Sequence, residues 1–241
     1  MQTYKAYGLV IKRSNIGEAD RIITIFSKEF GKIRFVAKGS RKTKSKLAGS
    51  LEPFYFSSFI ITKGKSLDIL TSATIEKVPL KNERNLDLIK TVSFFAELVD
   101  KMWPEHIPNS ELFDLLEEVF SYLGANENID LVRFYFESKF YQLSGFFPET
   151  SVCVRCGQKT EENLYFSPYA GGIIDSNCST AYGDSQKITS EAAKVWRFAS
   201  QNSYHNFKKI MIPNDIRHEL VKISNCYLGH VTQREFNSDK I

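Results

Sequence analysis

From Thr3 to about Glu76, polar and apolar residues alternate in short runs, the period of half-buried strands. The runs are 3–13 (TYKAYGLVIKR), 21–28 (RIITIFSK), 32–38, 55–63 (YFSSFIITK) and 67–76 (LDILTSATIE). Turn-forming residues separate them: Asn15-Ile16-Gly17-Glu18, Phe30-Gly31-Lys32, Gly39-Ser40, and Lys63-Gly64-Lys65-Ser66. Five strands with little helix predict a small closed or nearly closed β-barrel. From Lys81 the period becomes helical. Leu86, Ile89, Ser93, Ala96, Val99 and Trp103 fall on one face, widened by Phe95 and Met102, and Pro104 ends the run. Leu112, Leu116, Val119 and Leu123 form a second stripe. Ile129, Val132, Phe136, Phe140 and Leu143 form a third, with Gly145 as its stop. These three stripes predict a bundle. Residues 150–186 break the pattern. Thr189 then caps a helix to about Gln201, and 213–230 form a last helix with Ile216, Leu220, Ile223 and Tyr227 buried. The polar tail from Thr232 reads as frayed.

The fold class is therefore α+β. A five-stranded barrel occupies 1–80, a helical domain occupies 81–149 and resumes over 187–241, and 150–186 are an insert. The strand count fits the oligonucleotide/oligosaccharide-binding barrel, the OB-fold, with an SH3-like barrel as competitor. A hydrophobic fraction of 42% suffices for a packed core. The first residues, MQTYKAYGLV, hold no apolar leader core, and no run reaches the length of a membrane span, so the expectation is a soluble, intracellular protein.

Charge sharpens this picture. Residues 1–80 carry 15 Lys/Arg against 6 Asp/Glu, whereas 81–150 carry 6 against 13. Such asymmetry suggests a polyanion-binding barrel and an acidic middle that packs against it or limits non-specific binding. No acid interrupts the chain between Glu29 and Glu52. That stretch holds Lys32 and the candidate phosphate contacts Arg34, Lys38, Arg41, Lys42, Lys44 and Lys46. A merely solvated basic loop is the plain alternative. Phe35 and Tyr55 are candidate stacking platforms for bases, with barrel core as the competing assignment. The sequence has no HxH, no DxD and no Walker-type glycine loop, so no enzyme activity is expected.

Cys153-Val-Arg-Cys156-Gly157 is a C-x2-C with a glycine that lets the backbone turn beneath an ion. At the distance of a return pair stands Asp175-Ser-Asn-Cys178. The candidate ligands of a structural zinc ion are therefore Cys153, Cys156, Asp175 and Cys178. Cys226, in a predicted helix and read as a small buried hydrophobe, and His205 are rival fourth ligands. No βαβ pattern surrounds the C-x2-C, which argues against a thioredoxin-like role. A closed structural zinc site offers no position for substrate.

Several segments together resemble the bacterial recombination mediator RecO family: Gly17-Glu18-Ala19-Asp20-Arg21, Val36-Ala37-Lys38-Gly39-Ser40-Arg41-Lys42, and Leu47-Ala48-Gly49-Ser50-Leu51-Glu52-Pro53-Phe54. So do the Cys-x2-Cys-Gly and Phe166-Ser-Pro-x-Ala-Gly-Gly172. The resemblance extends over essentially the whole chain. It implies an OB-fold, a helical domain and a zinc-ribbon-like insert. It also implies a non-enzymatic protein of DNA repair and recombination. Such a protein binds single- and double-stranded DNA, anneals strands and, with RecR, loads RecA onto strands coated by single-stranded DNA-binding protein, SSB. A cytoplasmic, nucleoid-associated location follows. Many relatives carry a second C-x2-C where this chain has Asp175. The resemblance also places an Arg-Phe pair at Arg133-Phe134, which makes Arg133 the candidate contact for the acidic SSB tail, with Lys139 a poorer one. An ordinary i, i+4 pair with Glu137 is the alternative for Arg133. The competing function is an RNA-binding or ribosome-associated OB/zinc protein, since the basic loop alone does not distinguish RNA from DNA.

Overall fold

The structure is a computed structural model that describes residues 2–80, 85–233 and 236. The chain divides into two compact units, one of 1–127 with 236–241, the other of 128–235.

In the first unit the alternating runs become β1 (Thr3–Ile16), β2 (Asp20–Ser27), β3 (Gly31–Ala37), β4 (Phe56–Thr62) and β5 (Asp68–Lys77). They close a barrel in the order β1-β2-β3-β5-β4. Every pairing is antiparallel except a short parallel one between β3 and β5, Phe35 with Asp68 and Val36 with Ile69. This is the OB-like order, and it decides against the SH3-like competitor. Alternate residues fill the interior, among them Val10, Ile23, Ile25, Phe35 and Phe59, with Leu51 from the 3-10 turn Gly49–Leu51. Phe35 meets Phe59 at 5.4 Å between centroids. Of the two assignments open for Phe35, the ring is barrel core, with no face available to a base.

On the barrel's other face lie Phe26 and Phe56. Against them pack α1 (Leu86–Met102) and α2 (Ser110–Gly124), through Trp103, Phe113 and Phe120. Asn85 and Asn109 cap the two helices by accepting hydrogen bonds from the N–H groups of Leu88 and Leu112. The buried face of α1 differs from the expected one. The expected Phe95, Ala96, Val99 and Trp103 are buried, but Leu86 is exposed and Ile89 and Ser93 are only half-buried, their places near the start of the helix taken by Leu88 and Val92. Phe94 and Leu98 are buried as well, so apolar contact surrounds most of the helix and a single stripe could not mark its orientation. Part of the reason is Phe236, which meets Phe94 edge-to-face at 5.3 Å between centroids, beneath the Lys101 ammonium. The tail read as frayed is therefore anchored at this residue; residues 234, 235 and 237–241, like 81–84, lie outside the described residues.

Gly31 opens β3 at φ +64, and a Cβ there would lie 2.2 Å from the Ile107 carbonyl oxygen. Only glycine allows the segment after α1 to run this close to the β2–β3 turn.

The second unit contains α3 (Ile129–Ser144), β6 (Leu164–Ser167), β7 (Gly172–Ile174), α4 (Ser176–Ser179), β8 (Gln186–Ile188), α5 (Ser190–Gln201), α6 (Tyr204–Phe207) and α7 (Asn214–Thr232). Helices α3, α5 and α7 pack on one another. Trp196 of α5 is fully buried and stacks on Phe166 of β6 at 5.4 Å, which joins the helices to the insert's sheet. That sheet has three strands, ordered β7-β6-β8, with Gln186–Ile188 pairing antiparallel to β6 on the side away from β7. Among the described residues, no helix is long and apolar enough to cross a membrane.

Candidate metal centre and cationic segment

The cations of the Lys32–Lys46 stretch divide at the end of β3. Lys32 is buried; its Nζ donates to the Asp100 carbonyl and lies 3.8 Å from the Asp100 carboxylate. Burial lowers its pKa, Asp100 and Glu105 opposing. It is therefore not part of the exposed basic surface suggested by the run. Arg34 is exposed but holds Glu105 with two nitrogens, at 3.0 and 3.2 Å. Lys12 and Lys28 likewise pair with Asp100 and Asp114. Acids of the segment after the barrel thus neutralise several barrel cations.

Past Ala37 the situation changes. Lys38, Arg41, Lys42, Lys44 and Lys46 are all exposed. Arg41 is tied to the β1–β2 turn: its backbone N–H donates to the Ala19 carbonyl at 2.9 Å and its side-chain Nη1 to the Gly17 carbonyl at 2.9 Å. Gly39, at φ +66, donates its N–H to Asp20 Oδ1 at 2.7 Å. The four lysines have no ion pair among the described residues. The segment is an ordered base from which unneutralised ammonium groups extend. Tyr55 is half-buried and lines a cavity of about 550 Å³ with Arg13, Glu52 and Phe54.

In the second unit the four predicted metal ligands converge. The Sγ atoms of Cys153, Cys156 and Cys178 and a carboxylate oxygen of Asp175 all lie within 4.8 Å of one another, so the group can hold a metal ion. Two turns create this closeness. Gly157, at φ +74, donates its N–H to the Cys153 carbonyl at 2.8 Å, folding the C-x2-C back on itself. Asp175 caps α4, its Oδ1 accepting from the Cys178 N–H at 2.9 Å, while its Oδ2 accepts from the Cys156 thiol at 3.1 Å. These thiol bonds, with Cys153 foremost, hold the Asp175 carboxyl well below the usual carboxylate range. Burial, then Asp175 and Cys153, push the Cys178 thiol up to about 12. Against the effect of burial, backbone N–H groups shift the Cys153 thiol downward, whereas the Cys156 thiol, like that of Cys178, is shifted upward, so a metal ion binding these sulfurs as thiolates displaces protons. Neither rival ligand is in the cluster. Cys226 is exposed on α7, contrary to the expected burial, because it lies off the stripe of Ile223 and Tyr227. His205 is exposed on α6.

Arg133 on α3 does make the i, i+4 pair. Its Nε donates to Glu137 at 2.9 Å, and its Nη2 reaches Asn225 Oδ1 at 3.4 Å. Glu137 is buried and also accepts from Ser224. Arg133 therefore supplies the counter-charge of a buried carboxylate. Lys139 donates to the Ser200 carbonyl.

Comparison with known proteins is consistent over the full length. Residues 1–79 match the family model for the N terminal part of recombination protein O, and 84–240 match that for its C terminal part. The chain belongs to the recombination protein O family. A protein named DNA repair protein RecO from Dehalococcoides mccartyi is 32% identical over 234 residues, 96% of this chain and 92% of the relative. The protein of that name from Alkaliphilus metalliredigens is 28% identical over 239 residues, 98% and 97% of the two chains. A third, from Desulfitobacterium hafniense, is 37% identical over 183 residues, 75% and 66%.

Sequence reasoning named Glu137 as the alternative partner of Arg133 but did not foresee its burial, and it did not single out the arginines of β1 and β2. The Glu137 signal was present as an acid on an otherwise apolar helix face; the arginines looked like ordinary outward strand residues.

Proposed function

We propose that the protein is a non-catalytic mediator of DNA repair and recombination that binds single- and double-stranded DNA through phosphates. Lys38, Arg41, Lys42, Lys44 and Lys46 supply the contacts, and Arg34 joins them when DNA competes with Glu105. The observation that carries this reading is the run of exposed lysines without acidic partners, held on an OB-like barrel in a chain of this family. One cationic surface contacting two strands lowers their mutual repulsion, so annealing of complementary strands needs neither nucleotide nor catalytic residue. The partners are RecR, the SSB tail and, indirectly, RecA, and the place of action is the nucleoid. The SSB contact is assigned to Arg133, whose guanidinium is anchored by Glu137 at one edge.

The ion of the cysteine cluster is zinc, in a structural role. Three thiolates and one carboxylate are a legitimate tetrahedral set. With bonds of about 2.3 Å the donors of such a site stand roughly 3.8 Å apart. Drawing together donors now within 4.8 Å takes about half an ångström from each side.

The test is annealing of complementary oligonucleotides by the wild-type protein at 50 and 200 mM salt, with an RNA hairpin as competitor. Acceleration at low salt that fades at high salt supports the reading. No acceleration, or strong preference for the hairpin, contradicts it and favours an RNA-binding protein.

A further inference from the structure

The inner face of the barrel continues past its apolar core on β1 and β2. Ile23 and Ile25 point inward, so by the two-residue period Arg21 does too. Its cross-strand neighbours are Asn15 on β1 and Ala37 on β3, the latter small and buried. Arg13 pairs with Ile23, one inward position further along, and its Nη1 lies 2.5 Å from Glu52. Arg41 closes the group from the side, bonded to Gly17 and Ala19 of the β1–β2 turn.

Three arginines thus stand at one end of the barrel, with Glu52 the carboxylate that pairs with Arg13. Arg21 is only half-buried as a residue, yet its Nε is sealed from solvent and has no hydrogen-bond partner among the described residues. Burial and then repulsion from Arg13 lower its pKa, Glu52 opposing and Arg41 adding to the repulsion. An unpartnered buried donor beside two like charges is a costly arrangement that one anion relieves. Arg13 and Glu52 also line the cavity of about 550 Å³ whose walls include Pro53, Phe54 and Tyr55. Phe54 is held at φ +70 there by its N–H bond to Val10, a strained backbone of the kind found at binding sites. The β1–β2 turn is moreover a ligand-binding loop of OB barrels in general.

We propose that Arg13, Arg21 and Arg41 form a phosphate site at the barrel mouth that takes one nucleotide of a single DNA strand, its sugar and base entering the adjoining cavity. The site rests on the DNA-binding reading above and is separate from the Lys42–Lys46 contacts. A duplex has no free nucleotide to enter the cavity, so the site favours single strands. The phosphate belongs either to the strand interior or to its 5′ end.

The experiment measures affinity of the full chain for a single-stranded oligonucleotide and for a duplex across a salt series. Variants are Arg21→Gln, Arg21→Lys and Lys42→Ala/Lys44→Ala/Lys46→Ala, each checked for thermal midpoint. Arg21→Gln is expected to weaken single-strand binding about tenfold, lower its log–log salt slope by about 0.7, and change duplex binding less than twofold. Arg21→Lys restores the slope while remaining weaker, because the planar fork is lost. Oligonucleotides with and without a 5′ phosphate distinguish the sources: a preference for the phosphorylated end marks a terminal site, equal affinity an internal one. Wild-type affinity and slope in a folded Arg21→Gln protein overturn the proposal, as do equal losses on single strand and duplex. If Arg21→Gln does not fold, Arg13→Gln, at the other strand residue of the site and outside the lysine contacts, must show the same single-strand bias or the proposal fails. Loss in the triple lysine variant without loss in Arg21→Gln sinks this site alone. A wild-type protein with no salt-dependent DNA affinity sinks the DNA reading itself.

Discussion

In the first unit Lys38, Lys42, Lys44 and Lys46 stand apart, each exposed and each without an acidic partner among the described residues. In the second unit Cys153, Cys156, Asp175 and Cys178 lie within 4.8 Å and hydrogen-bond one another. If the first arrangement binds DNA as proposed, it acts as a polyelectrolyte: each charge works through the same long-range field, so losing one removes roughly one share of the binding. If the second holds a metal ion, it acts as a chelate: each donor fixes the position of the others, so losing one removes most of the affinity at once. The two segments thus differ in whether their residues are expected to add or to cooperate.

The sharpest way to break the comparison is at the chelate. Cys156→Ser should lower metal content from about one zinc per chain to near zero. Hydrogen exchange over 150–186 should rise strongly while the barrel stays protected; graded, partial metal loss would show that the donors act independently after all. Asp175→Ala should retain weaker binding and cost about 1 kcal/mol of stability besides, since the same carboxylate caps α4. Cys226→Ala should leave metal content unchanged.

A smaller effect is expected at Arg133. Replacing it by Ala leaves buried Glu137 with Ser224 and no cation, at a cost of about 2 kcal/mol read from chemical denaturation. Binding of the isolated SSB tail is therefore to be compared in a Glu137→Gln background. There Arg133→Ala should weaken the peptide about tenfold, or ~1.4 kcal/mol, and leave naked-DNA binding nearly intact. Unchanged peptide affinity would remove Arg133 from the partner surface.

At the polyelectrolyte the single steps are small. Lys42→Ala, Lys44→Ala and Lys46→Ala should each lower the duplex salt slope by about 0.9. Arg34→Ala should do less than any of them, because Glu105 already holds that guanidinium. Glu105→Gln, conversely, should strengthen DNA binding slightly; a weaker complex would mean that the pair orders the surface rather than masks it.

The barrel was legible because its signal is local. Alternation over five runs places each strand to within a few residues, Ile16 of β1 being the furthest, and the closed order follows from the connection lengths. The convergence of Cys153, Cys156, Asp175 and Cys178 was legible because two short motifs carry them, and the turn chemistry of Gly157 and Asp175 brings those motifs together. What failed to show in sequence depends on long-range partners. Lys32 reads like any cation of its run until α1 places Asp100 beside it. The buried face of α1 cannot be chosen while Phe236, more than 130 residues away, is unplaced. Arg21 looks like a surface strand residue until the barrel closes and turns it inward.

The central claim is that the lysines beyond Ala37 carry DNA binding, and a salt series on one variant tests it most directly. Lys42→Ala/Lys44→Ala/Lys46→Ala should bind duplex DNA more weakly, regardless of sequence, with a log–log salt slope shallower by about 2–3 than wild type. An unchanged slope in a folded triple variant would contradict the account and move the DNA surface elsewhere on the molecule.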